Sequence, residues 1–108
     1  MKGCESLRCA HKEDITAFHT RNVTASGAAD QIITTHTPVK WVNIFNVTGN
    51  AAVLVGDKNI TATIYGFSIA AGANGPAIGP LPGEQSFNLD EIYLLGTNTN
   101  VIRISYLT

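Results

Sequence analysis

VIRISYLT, residues 101–108, alternates: Ile102, Ile104 and Tyr106 fall on one side of an extended chain, and Val101, Arg103 and Ser105 on the other. Successive side chains of a strand point to opposite faces, so this stretch predicts a strand with one face on a core. VKWVNIFNV, residues 39–47, carries apolar groups on both sides, with Val39, Trp41, Phe45 and Val47 opposed to Val42 and Ile44. Two apolar faces predict a central strand covered on both.

From Ile15 onward, short runs rich in Val, Ile, Thr and aromatics alternate with clusters of Gly, Asn, Asp and Pro, the strand-and-turn pattern of an all-β domain. No segment keeps a 3.6-residue period. Strands are predicted at 15–25, 31–37, 39–47, 51–56, 60–70, 86–89, 91–95 and 101–107. Thr48-Gly49-Asn50 is expected to close a hairpin between the Trp41 strand and AAVLVG, and Gly56-Asp57-Lys58-Asn59 the next one, before ITATIYGF. Successive hairpins with a long return predict a small antiparallel β-sandwich or barrel of Greek-key or meander topology. Residues 1–13 hold five charged side chains (Lys2, Glu5, Arg8, Lys12 and Glu13) and almost no apolar periodicity. They read as an extended N-terminal arm, leaving 14–108 as the domain.

The return is AAGANGPAIGPLPGE, residues 70–84. Its glycines at 72, 75, 79 and 83 break the three-residue period of collagen, and no Lys-Ser/Thr pair follows them as a phosphate loop requires. Pro76, Pro80 and Pro82 fix φ and remove donors, which predicts an extended loop that bridges two parts of the sheet and is not recruited as a strand. Loops longer than about 12 residues within a compact domain are usually functional or disordered. Partner contacts are therefore expected at Asn74, Pro76, Ile78, Pro80, Leu81 and Pro82, together with Cys4, Cys9 and His11 of the arm.

Composition narrows the partners. The 108 residues carry a formal charge of −1, with no basic footprint for nucleic acid or an anionic membrane. Only 14% are charged, against about 25% in ordinary globular domains, so Thr and Asn must cover much of the surface. No run approaches the roughly 18 apolar residues of a membrane span, and MKGCESLRCAHKED has no signal-peptide core. Three glycosylation-type triplets, starting at Asn22, Asn46 and Asn59, read as turn and strand-edge composition.

Chemistry finds little purchase. His11, His19 and His36 are the only histidines, and no nucleophile elbow accompanies them. Glu13-Asp14 and Asp90-Glu91 are adjacent pairs, which on a strand point to opposite faces and do not converge. Cys4, Cys9 and His11 make a partial metal set, short of the four ligands of structural zinc. Incidental thiols on an arm, an interchain disulfide and ligands completed by His19 or by other copies all remain open. No enzyme activity and no cofactor is expected. The aromatics Trp41, Phe45, Tyr65, Phe67, Phe87, Tyr93 and Tyr106 are expected mainly in the core, with Trp41 and Tyr65 as the pair a sugar-binding patch would need.

Two blocks, NIFNVTGNAAVLVGDKNITATIYGFSIAAG and SFNLDEIYLLGTNTNVIRISYL, resemble small β-structured virion proteins of tailed bacteriophages. In that group a V-x-V-G-D/G strand precedes an I/V-T-A-T-x-G-x-x-L/I-A-A-G segment, a short Asp-Leu/Ile-Tyr segment ending in Gly, and a final strand. The matching pieces are Val53 to Asp57, Ile60 to Gly72, Asp90 to Gly96 and Val101 to Leu107, over roughly the last two thirds of the chain. The Gly/Pro insert 73–83 and the Cys-containing arm depart from the pattern. The resemblance implies a non-enzymatic structural role: a capsid cement or decoration protein, or a tail, head–tail connector or baseplate component. The expected partners are then the major capsid protein, other virion proteins and further copies of the chain, a trimer among the arrangements. The expected location is the virion, assembled in the host cytoplasm. A carbohydrate-binding β-sandwich attaching to a host surface is the alternative from another class.

Overall fold

The structure, a computed structural model, describes residues 17–108. The arm, its boundary at residue 13, and Cys4, Cys9 and His11 lie outside the described residues. The chain forms β1 (Phe18–Thr24), β2 (Ala29–Gln31), β3 (Pro38–Val39), β4 (Trp41–Asn46), β5 (Val53–Gly56), β6 (Phe67–Ile69), β7 (Phe87–Asn88), a 3-10 turn (Leu89–Glu91), β8 (Tyr93–Leu95) and β9 (Val101–Leu107). One sheet runs β1-β9-β4 and a second β2-β8-β5-β6, with β3 and β7 forming a short ribbon. Every pairing is antiparallel.

Ile102, Ile104 and Tyr106 of β9 are buried, as the alternation in the last strand predicts. β9 is the centre of its sheet, with β1 on one side and β4 on the other. Val23, Val42 and Ile44 join it on the inner face, and Val53, Val55, Ile69 and Leu94 come from the second sheet to form one core. Two antiparallel sheets packed through alternating inward residues are an all-β sandwich.

Residues 72–78 complete the first sheet. β4 gives the main-chain groups of its odd residues to β9, so those of Val42, Ile44 and Asn46 point the other way. There Val42 and Ile78 exchange bonds of 3.0 and 2.9 Å, Gly75 N–H donates to Ile44 O at 2.8 Å, Asn46 N–H donates to Ala73 O at 3.0 Å and Gly72 N–H to Asn46 O at 2.7 Å. The expectation that prolines would keep this segment off the sheet is thus corrected. The donors come from Gly72, Gly75 and Ile78, and none of these three is a proline. With this fourth position filled, the orders β1-β9-β4-(72–78) and β2-β8-β5-β6 are those of a jelly roll.

Other boundaries move for local reasons. The predicted 39–47 strand breaks at Lys40, so Val39 leaves Trp41's face and is buried in the β3–β7 ribbon. Residues 47–52 cross between the sheets, and β4 and β5 do not pair as a hairpin. β5 and β6 do pair, but β6 begins only at Phe67. The Thr61 hydroxyl accepts from the N–H groups of Thr63 and Ile64 at 3.2 and 3.0 Å, a local turn that competes with the ladder expected from residue 60. Of the predicted 31–37 strand only Gln31 is paired; Ile32 N–H donates to Ile92 O, and Asp90 receives Thr37.

Candidate docking surface

The outer face of the first sheet follows from its registers. Phe18, Leu107 and Trp41 form one row, Thr20, Ser105 and Asn43 the next, and Asn22, Arg103 and Phe45 the third, with Asn74 bridged beyond Phe45. Arg103 is the only charged residue in these rows, and its guanidinium carbon lies 5.6 Å from the Phe45 ring centre, a cation–π distance. The face thus runs from an apolar end, where Phe18 is 63% exposed, into hydroxyl and amide groups. Such a surface can bind by shape and neutral hydrogen bonds, with Arg103 as the one charge to desolvate.

Beside it, the Gly/Pro loop divides. Ile78 is half-buried against the core and fixed to Val42, and Asn74 is exposed while bridging Phe45. Pro76 and Pro82 are exposed, Pro80 is half-buried and Leu81 stands 69% exposed. Leu81 O accepts Glu84 N–H at 2.9 Å around Pro82 and Gly83, whose φ is +88°. Pro then Gly at the two central positions is the signature of a type II turn, so LPGE was the signal in the sequence for this presented tip. An apolar cleft of about 310 Å³ lies between Phe67, Ile78, Phe87 and Ile92, walled by the loop on one side.

Charged groups gather elsewhere. Asp57, Lys58, Asp90 and Glu91 line a second cleft, of about 430 Å³. Glu91, expected to open the 91–95 strand, sits with Asp90 on the 3-10 turn, and the two share this cleft instead of facing apart. Asp90 is nevertheless engaged: Thr37 N–H donates to its Oδ1 at 3.0 Å, and His36 Nδ1 is 3.4 Å from the same oxygen. The Thr37 bond, aided by Asp90's own amide and by His36 and opposed by desolvation, holds this carboxyl below its ordinary value. Among the described residues no three His, Cys, Asp or Glu side chains come together to hold a metal ion.

Trp41 and Tyr65 are not brought together. Trp41 lies on the outer face of the first sheet, and Tyr65 is on the loop between β5 and β6 of the second. Asn46, in one of the glycosylation-type triplets, is completely buried. His19 stacks on Tyr106 with ring centres 4.9 Å apart and meets Thr108 Oγ1 at 3.0 Å.

No family model matches the chain, and no curated protein does. Among solved structures, the chain is similar to a protein of the disulfide-linked pili that form Bacillus endospore appendages, with 16% identity over 85% of this chain and 86% of that one and a TM-score of 0.44.

Proposed function

We propose that this chain is a non-enzymatic structural protein that acts by docking, and specifically a cement or decoration protein of a tailed-phage capsid. The observation that carries the reading is the outer face of the first sheet: three registered rows across three strands with Arg103 as their one charge, already turned onto Phe45. A broad neutral face lets many copies sit close together without self-repulsion. The LPGE tip, held out by its type II turn, adds a pre-ordered contact that loses little entropy on binding. The virion assignment itself comes from the sequence resemblance over residues 53–107.

The test is the composition of purified particles. The protein is expected in hundreds of copies over the shell, whereas a single ring at one vertex would make it a connector or tail component. Removing residues 1–13 should leave the domain folded and weaken retention on particles. Absence of the protein from particles would end the virion reading, and turnover of a substrate would end the structural one.

A further inference from the structure

The four edges of the two sheets are not alike. On the second sheet, β2 and β6 are three residues long. On the first, one edge is the 72–78 segment, where Pro76 offers no donor. The last edge is β1, seven residues without Pro or Gly. Natural sheets blunt exposed edges by shortness, proline or charge, because a row of free N–H and C=O groups is a template for another strand. Three of these edges are blunted by shortness or proline and β1 by neither, its one full charge being Arg21.

The register shows which groups β1 leaves free. Ala25 N–H donates to Asn100 O at 2.8 Å and Thr108 N–H to Ala17 O at 3.0 Å, so the hydrogen-bonded pairs with β9 fall on odd-numbered residues. In an antiparallel ladder the alternate residues then turn their main-chain groups away. Those of Phe18, Thr20, Asn22 and Thr24 point out of the sheet, and no described strand receives them. Arg21, the strand's charge, belongs to the bonded set.

From this we infer that the β1 edge pairs with β1 of a second copy of the chain, antiparallel across a twofold axis. An isologous contact matches outward donors and acceptors of one copy to the same groups of the other. An axis between Thr20 and Asn22 would set Arg21 opposite Arg21, and an axis at Thr20 would set Arg21 opposite His19. An axis at Asn22 avoids both and brings Thr20, Asn22 and Thr24 of the two copies together, placing Asn22 opposite Asn22 and Thr20 opposite Thr24, uncharged pairs of which the Thr–Thr kind stabilises a sheet. The pairing also makes the neutral outer faces of the two copies continuous, doubling the docking surface.

This inference adds self-association to the proposed docking role, and its test needs only the full-length isolated protein, so failure here leaves particle retention untouched and the reverse. In reductant, amide exchange at Thr20, Asn22 and Thr24 is expected to slow by about tenfold or more as protein concentration rises, alongside a monomer–dimer transition by sedimentation. Asn22→Pro removes an outward N–H that β9 does not use, and is expected to keep the fold and lose both effects. Thr20→Lys serves where the proline variant fails to fold. Fast exchange at all three amides at every concentration overturns the inference. So does protection that ignores concentration, which would mean that the chain covers its own edge.

Discussion

The side-chain amide of Asn46 donates to Ile69 O at 2.9 Å, tying β4 of the first sheet to β6 of the second through the middle of the core. The same nitrogen reaches Ala51 O at 2.9 Å, and its oxygen accepts Asn50 Nδ2 at 2.9 Å, which also donates to Val101 O at 2.7 Å. Asn46 is fully buried with every polar atom partnered, so it fixes the crossover 47–52 that separates β4 from β5. Asn46→Leu keeps the branched shape but takes the acceptor from one Asn50 N–H and the side-chain donor from Ala51 O and Ile69 O. A loss of about 2–4 kcal/mol is expected in urea unfolding. A variant as stable as the parent would show that the network contributes nothing.

Gly75 lets the Gly/Pro segment lie on the core. A Cβ built there would meet Ile69 Cδ1 at 2.6 Å and Phe67 Cε2 at 3.1 Å, and Ile69 is itself buried. Gly75→Ala is expected to cost about 1–3 kcal/mol through overpacking. Gly79, four residues on, has nothing within 4 Å of such an atom. Its alanine variant should be neutral or gain about 0.4–1 kcal/mol from the unfolded chain. Equal effects at the two sites would mean that the segment does not press on the core.

These two glycines also mark where the sequence could be read and where it could not. The period of two in VIRISYLT and the aliphatic run of β4 identified the strands, because burial of alternate residues is a local property of the pattern. Strand partners are non-local. Nothing in TGN distinguishes a hairpin from a crossover, since the deciding bonds run from Asn46 to Ile69 and from Asn50 to Val101, far along the chain. Residues 72–78 take a sheet position because Pro76 is their one proline, while Gly72, Gly75 and Ile78 keep the donors that reach β4. The contact set split accordingly, with Ile78 drawn into the sheet and Leu81 left at the tip.

Acid should weaken the fold through Asp90. Its folded-state value lies below the ordinary 3.8, chiefly because Thr37 N–H bonds the charged form. A depressed carboxyl adds stability that is present above the unfolded value and is lost as pH falls through the folded one. Asp90→Asn keeps an acceptor for Thr37 but cannot titrate. The stability gap between parent and variant should therefore be largest at neutral pH and close below about pH 3.8. A gap constant across that range in parallel urea titrations would remove Asp90 from the acid response.

Ser105 separates docking from folding. It sits at the middle of the outer face, between Thr20 and Asn43, on the strand whose other face carries Ile104. Ser105→Lys places a charge where the surface has none besides Arg103, and a partner that covers this face must then bury it or withdraw. Because the side chain points away from the core, the stability change is expected within about 0.5 kcal/mol, whereas Ile104→Ala should cost about 2–5 kcal/mol. Retention on particles, measured by sedimentation of mixed components, should fall for Ser105→Lys with the melting temperature unchanged. Full retention of a folded Ser105→Lys protein would show that the outer face is not what the shell touches, and would move the contact to the Leu81 tip.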